Sequence, residues 1–276
     1  FQTLCQDAIR LLEDNGHHVI LNDHDMPYYS FEELAVWAPD IQGAISGMDQ
    51  WNEQVFQIAP KLKILARFGV GVDNVDLEAA KRHGVQVVNA AGLNANAVAE
   101  LGVAMILNCL RSIPQLNQKL DQGEWARAVG KEILGKTVGI LGFGDIGGRV
   151  AKKLSGMGVE LLAYDPYPNE AKARDLHVTL TDMDTVLAKS DVISIHMPSI
   201  PATRHIMDRA AFAKMKQGAY FINTARGTLV DTQALIDAVT GGHLAGAALD
   251  VYEQEPLPMD APILHTPASP CAPHTG

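Results

Sequence analysis

Two patterns alternate along the chain. Short apolar runs rich in Val, Ile, Leu and Ala read as buried strands. Between them, apolar residues at three- and four-residue spacing read as amphipathic helices. Over the first third this predicts helices at 5–12, from Ser30 onward, at 51–58 and at 77–82, with strands at 18–21, 41–45, 62–66 and 85–88. Asn15-Gly16, Pro60 and Gly84 supply the stops, and Ser30-Phe31-Glu32-Glu33 offers an N-terminal cap. A longer helix at 96–112 follows, with Val98, Leu101, Ala104, Met105 and Leu107 on one face and Pro114 as its expected end. Its spacing suits a core helix first, with a domain-spanning or dimer-forming helix as the sharper alternative. Beyond it the pattern predicts strands at 137–141, 160–164, 191–196, 219–223 and 245–249, and helices at 146–157, 208–215 and 232–240. Such alternation implies an α/β fold with parallel sheets covered by helices. The first third reads as a smaller domain whose first strand would precede residue 1.

The strand at 137–141 runs into Gly142-Phe143-Gly144-Asp145-Ile146-Gly147, a G-x-G-x-x-G spacing that opens a helix. In a dinucleotide-binding turn the first glycine allows a sharp bend. The second lets the backbone approach a pyrophosphate, and the third lets the helix pack close to the strand. The helix start would aim free N–H groups and its positive dipole end at the phosphates. An ordinary strand-turn-helix junction uses the same glycines, so context matters. The next strand ends at Asp165, about twenty residues on, where a carboxylate can accept both ribose hydroxyls and repel a 2′-phosphate. That favours NAD over NADP. The other strands also end in polar groups: His196, Thr224 with Arg226, and Asp250. In an open parallel sheet those ends line one crevice.

Bulk properties narrow the field. The 276 residues are 47% hydrophobic with a formal charge of −10, and the pI is about 5.4 with mean hydropathy +0.02. A globular protein of one or two domains is expected, without the broad basic surface that nucleic acid or an anionic membrane selects. Cys5, Cys109 and Cys271 are too scattered for a disulfide framework or a zinc cluster, so no metal is expected and a reducing, cytoplasmic compartment fits. The longest apolar stretch, 98–110, is too short to span a bilayer and is interrupted by Glu100 and Asn108. The chain opens at Phe1 and stops at Gly276 in a way that reads as clipped at both ends.

Three residues could form a working set. Arg226 follows a buried strand, Glu255 precedes Pro256, and His274 follows Pro273. A guanidinium can hold a carboxylate bidentately. An imidazole can take a hydroxyl proton, and a neighbouring carboxylate can orient it. Taken singly, each also suits a surface ion pair, a solvated loop or a chain end.

The chain resembles the D-isomer-specific 2-hydroxyacid dehydrogenases, the group that includes phosphoglycerate dehydrogenase and the hydroxypyruvate and glyoxylate reductases. The matching segments begin with Arg67-Phe68-Gly69-Val70-Gly71-Val72-Asp73-Asn74-Val75-Asp76, Asn96-Ala97-Val98-Ala99-Glu100, and the glycine turn through Asp165. They continue with His196-Met197-Pro198, Ile222-Asn223-Thr224-Ala225-Arg226-Gly227, Gly246-Ala247-Ala248-Leu249-Asp250-Val251, Glu255-Pro256 and Pro273-His274. The resemblance implies two α/β domains: a smaller, flavodoxin-like substrate domain at 1–90 and a Rossmann NAD-binding domain at 91–276, with the active site in the cleft between them. Arg226 would grip the substrate carboxylate, and His274 would be the acid/base with Glu255 as its partner. Gly142, Gly144, Asp145, Ile146, Gly147, Asp165, His196, Thr224 and Asp250 would serve the cofactor. Backbone N–H groups around Val70 and Gly71 would help bind the carboxylate, and the helix at 96–112 would form a homodimer. The family's first strand and its last helix are missing. The proline-rich run before His274, with Pro267, Pro270 and Pro273, is a poor strand former where the family has a strand, so mobility is expected there. Ser46-Gly47-Met48 offers no cation for a substrate phosphate, which disfavours a phosphorylated substrate.

The sequence thus points to an NAD-dependent oxidoreductase acting at C2 of a small D-2-hydroxy acid or 2-keto acid. The alternative is an NAD-sensing, corepressor-like protein on the same scaffold, disfavoured by the lack of a visible partner-binding extension. Formate dehydrogenase is disfavoured by Glu255, because formate oxidation releases no hydroxyl proton and that branch carries glutamine there.

Overall fold

The computed structural model describes residues 6–21, 29–266 and 270–276. Cys5 and Pro267 lie outside them. The chain forms two compact units, Phe1–Asn89 and Ala90–Gly276.

The first unit contains α1 (Gln6–Asp14), α2 (Phe31–Trp37), β1 (Gly43–Ser46), α3 (Glu53–Ile58), β2 (Ile64–Arg67), α4 (Leu77–Arg82) and β3 (Gln86–Asn89). The strands form a parallel sheet in the order β1-β2-β3. Leu34, Trp51, Val55, Phe56, Leu62 and Leu65 are buried together as its core. Ser30 caps α2 reciprocally: its hydroxyl accepts from the Glu33 N–H, and its own N–H donates to the Glu33 carboxylate at 2.7 Å. Two expectations fail here. Residues 18–21 form no strand; Ile20 and Leu21 are exposed and find no strand partner among the described residues. The helix expected from Trp51 begins at Glu53, because Asn52 caps it and Trp51 instead bridges to Val75.

The second unit contains α5 (Ala95–Arg111), α6 (Ile113–Asp121), β4 (Thr137–Leu141), α7 (Asp145–Leu154), β5 (Glu160–Tyr164), α8 (Glu170–Asp175), β6 (Thr179–Leu180), α9 (Met183–Lys189), β7 (Val192–Ile195), α10 (Arg209–Lys214), β8 (Tyr220–Asn223), α11 (Thr232–Thr240) and β9 (Gly246–Leu249). Its six strands are all parallel, in the order β6-β5-β4-β7-β8-β9. This is the doubly wound arrangement, in which the order reverses beside the first strand, β4. One face of the sheet buries Leu141, Ile193, Phe212, Phe221 and Leu235 against α9, α10 and α11. The other buries Ile140, Val150, Leu154, Val103 and Ile106 against α5, α7 and α8. Adjacent residues of β4 thus serve opposite layers, as the strand pleat requires.

Most of α5 is buried in this unit, including Val98, Gly102, Ile106 and Leu110. It ends at Ser112, which adopts a left-handed conformation with φ 52°. Pro114 does not simply stop it. Proline in a first turn suits a helix start, and it helps open α6. No single helix among the described residues is long and apolar enough to cross a membrane; α5 and α6 pass that test only as a pair bent by 65°.

At 270–272 the proline-rich run makes strand-like pairing that its composition does not suggest. Leu249 at the end of β9 pairs in parallel with Cys271. Its N–H donates to the Pro270 carbonyl at 3.1 Å, and its carbonyl accepts from the Ala272 N–H at 2.8 Å. This pairing asks Pro270 only for a carbonyl and asks nothing of Pro273, so the missing N–H groups cost no ladder bond.

Candidate active site

Register across the larger sheet is the starting point. Leu141 is level with Tyr164 and with Ile195, Ile195 with Asn223, and Asn223 with Leu249. The residues that follow, Gly142, Asp165, His196, Thr224 and Asp250, therefore come off the carboxyl edge as one row. The strand-end pattern predicted that row.

The glycine turn is tightly built. Gly142 has φ 93°, and a Cβ there would lie 2.8 Å from the His196 backbone. A Cβ on Gly147 would lie 2.1 Å from the Gly142 carbonyl oxygen, so only glycine lets α7 start this close to β4. A Cβ on Gly144 would meet nothing within 4 Å, which leaves that side of the turn open. Asp145 and Ile146 begin α7, whose first N–H groups lack intrahelical acceptors as at any helix start. The Asp165 carboxylate accepts from the Phe143 N–H at 2.7 Å and from the Tyr167 N–H at 2.8 Å. Each oxygen keeps a lone pair for a further donor.

His196 and Thr224 lie close to Gly102 of α5, which leaves room for both side chains. The His196 Nε2 meets Ser194 Oγ at 2.9 Å, while its Nδ1 and the Thr224 hydroxyl are buried without a hydrogen-bond partner among the described residues. Burial pushes the His196 imidazole down to about 4, so it is neutral near pH 7. Its ring is turned into the fold, and its backbone is what covers the glycine turn.

The working set converges within this unit. His274 Nδ1 lies 2.6 Å from Glu255 Oε2. Because a carboxylate only accepts, Nδ1 carries the proton in this pair and Nε2 is left for other work. Glu255 Oε1 accepts from the Tyr252 N–H at 2.9 Å, so both carboxylate oxygens are fixed. Burial alone would raise the Glu255 carboxyl. The hydrogen bonds from His274 and Tyr252, with the charges of His274 and Arg226, outweigh it and hold the group below its usual range. Arg226 Nη1 donates to the Ala225 carbonyl at 2.7 Å, and Asn223 Nδ2 holds the Arg226 carbonyl at 2.9 Å.

Asp250 brings His274 to the sheet edge. It is 1% exposed, and its carboxylate accepts from the Thr275 N–H at 2.8 Å, the Thr275 hydroxyl at 3.1 Å and the Gly276 N–H at 2.9 Å. Tyr252 staples the same segment from the other side by donating to the Ala272 carbonyl at 2.9 Å. Val70 and Gly71 belong to the first unit, in the loop after β2, where the Val70 carbonyl accepts from Asn89 Nδ2 at 2.6 Å. Sequence reasoning missed the Tyr252 staple and the Ser194–His196 pair. The polar Ser194 inside an apolar strand was the only signal for the latter.

A family model described as D-isomer specific 2-hydroxyacid dehydrogenase, NAD binding domain, matches residues 103–276. The chain belongs to the D-isomer specific 2-hydroxyacid dehydrogenases. Similar members include a D-3-phosphoglycerate dehydrogenase of Archaeoglobus fulgidus, 39% identical over 95% of this chain and 50% of that one. Another is a hydroxypyruvate reductase of Thermotoga maritima, 42% identical over 92% of this chain and 81% of that one. Among solved structures, an NAD-dependent formate dehydrogenase from Staphylococcus aureus in complex with NAD superposes with a TM-score of 0.85. It is 35% identical and covers 98% of this chain and 82% of its own. The chain spans about half the length of the phosphoglycerate dehydrogenases it matches. Among the described residues no group of three or more His, Cys, Asp or Glu is placed to hold a metal.

Proposed function

We propose that this chain carries an NAD-dependent oxidoreductase acting between a small D-2-hydroxy acid and its 2-keto form. One observation carries the reading: a 2.6 Å His274–Glu255 pair that feels the Arg226 charge, pinned through Asp250 to the row that also holds the glycine turn. The turn suits a dinucleotide. Its open side at Gly144 admits a pyrophosphate, and Asp165 is held by two N–H donors in position for ribose hydroxyls. NAD, bound there, supplies the site that accepts or gives a hydride.

Arg226 grips the substrate carboxylate through its guanidinium fork. His274, oriented by Glu255, takes the hydroxyl proton at Nε2 during oxidation and returns it during reduction. Thr224 and Asp250 would serve the nicotinamide side of a bound NAD, and Asp250 also fixes the segment behind His274. The smaller unit is read as a substrate domain at 1–90, whose amides around Val70 and Gly71 suit a carboxylate, and the larger as an NAD-binding domain at 91–276. A His–Glu proton relay favours a hydroxy acid over formate, whose oxidation frees no hydroxyl proton. The protein is further read as a cytoplasmic homodimer. Trp125 and Val129, 87% and 102% exposed beyond α6, give apolar surface for such contact.

The test is NADH oxidation with hydroxypyruvate, glyoxylate, pyruvate and phosphohydroxypyruvate. Turnover of at least one that drops ~100-fold in kcat/KM for Arg226→Ala supports the reading. NADH binding without turnover of any of them contradicts it and favours a sensing role.

A further inference from the structure

Lys172 of α8 reaches back to the glycine turn. Its Nζ donates to the Gly144 carbonyl at 2.8 Å and to the Phe143 carbonyl at 3.2 Å. It also stands 5.1 Å from the centre of the Phe143 ring. The stem runs over the first turn of α7, where a Cβ on Gly148 would come within 2.9 Å of the Lys172 Cδ. The G-x-G-x-x-G spacing does not account for a glycine at 148. A Cβ at 148 would push the lysine stem aside, so glycine there leaves the stem room to reach the turn.

We propose that Lys172 is a positioning residue for dinucleotide binding, one that sets the direction of the pyrophosphate-binding amides. The inference rests on the NAD reading above. In a trans peptide the C=O and the N–H point in opposite directions. A cation bound to the Phe143 and Gly144 carbonyls therefore turns the N–H groups of Gly144 and Asp145 the other way. The free side of Gly144, where an added Cβ would meet nothing within 4 Å, is available to a phosphate. Bonding an ammonium to the two carbonyls also polarises both peptide units and strengthens their N–H groups as donors. Asp165 holds the Phe143 N–H from the neighbouring strand end at 2.7 Å. The turn is thus fixed on its N–H side by a carboxylate and on its carbonyl side by an ammonium. Lys172 would raise affinity without touching the ligand and without reaching the His274–Glu255 pair.

The experiment compares wild type with Lys172→Met and Lys172→Arg, reading dissociation constants for NADH by fluorescence and for ADP-ribose and adenosine by displacement. Lys172→Met should weaken NADH and ADP-ribose about tenfold, since hydrogen bonds to a charged group are lost. It should leave adenosine, which lacks a pyrophosphate, unchanged within twofold. Lys172→Arg should restore most of the loss, and kcat at saturating NADH should not move. Equal weakening of adenosine, or NADH binding in Lys172→Met equal to wild type, overturns the role of Lys172 alone. Failure of the wild type to bind NADH overturns the cofactor reading itself and this inference with it.

Discussion

Gly227 couples the two halves of the proposed site. It follows Arg226, and a Cβ built on it would lie 1.8 Å from the Tyr252 carbonyl carbon, 2.0 Å from its oxygen and 2.4 Å from the Glu253 nitrogen. Non-bonded carbons rest at about 3.5 Å or more, so Gly227→Ala forces a separation of roughly 1.7 Å. Neither side can yield by a rotamer change, because the obstruction is backbone. Overpacking typically costs about 1–3 kcal/mol, and the upper end is expected here. The displacement falls between Arg226 and the loop that carries Glu255, and a misplacement of about 1 Å can cost ~100-fold in rate. Urea unfolding followed by circular dichroism measures the first effect, and kcat/KM measures the second. Gly156→Ala is the control, since a Cβ there meets nothing within 4 Å, and a change within about 0.5 kcal/mol is expected. If Gly227→Ala matches this control in stability and the wild type in kcat/KM, the close approach of the two loops is not what holds the site.

Two pH effects follow from other groups. An unfolded histidine protonates near 6.5, whereas burial holds His196 down to about 4. The unfolded state therefore binds more protons between those values, and the larger unit should lose up to about 3 kcal/mol as pH falls from 6.5 to 4. His196→Gln should flatten that slope, as unfolding free energies at a series of pH values would show; an unchanged slope refutes the assignment. In the smaller unit, hydrogen bonds from His83 and Arg82 hold the Glu53 carboxyl down to about 2. Its contribution is present above pH 4.5 and lost as pH falls toward 2. The stability gap between wild type and Glu53→Gln should close over that window in an acid titration, and a gap that does not change with pH refutes it.

Some of this structure was legible in the sequence. The strand, turn and helix at 137–157 carry both apolar periodicity and glycines at spaced positions, and the parallel register turns their strand-end residues into one row. Shorter elements escaped. β6 is only Thr179–Leu180, and α8 and α9 are brief, so their patterns barely rise above loop composition. α6 was hidden because Pro114 signals a stop as readily as a start, and only the left-handed Ser112 decides between them. Residues 18–21 have the composition of a strand, but strand formation depends on a partner that local sequence does not reveal. The pairing of Pro270 and Ala272 with β9 escaped because proline's missing N–H matters only if the ladder calls for it. Residue types and the family resemblance suggested the approach of Glu255 to His274. The Asp250 and Tyr252 anchors that bring it about are tertiary contacts, and no local pattern encodes them.

The proton relay at His274 is the centre of the account, and its substitution tests it most directly. With the 2-keto acid that the wild type reduces best, His274→Asn should lower kcat by ~10²–10⁴-fold, while the dissociation constant for NADH stays within about twofold because the glycine turn and Asp165 are untouched. Wild-type turnover in His274→Asn, with NADH bound as tightly as before, would contradict it.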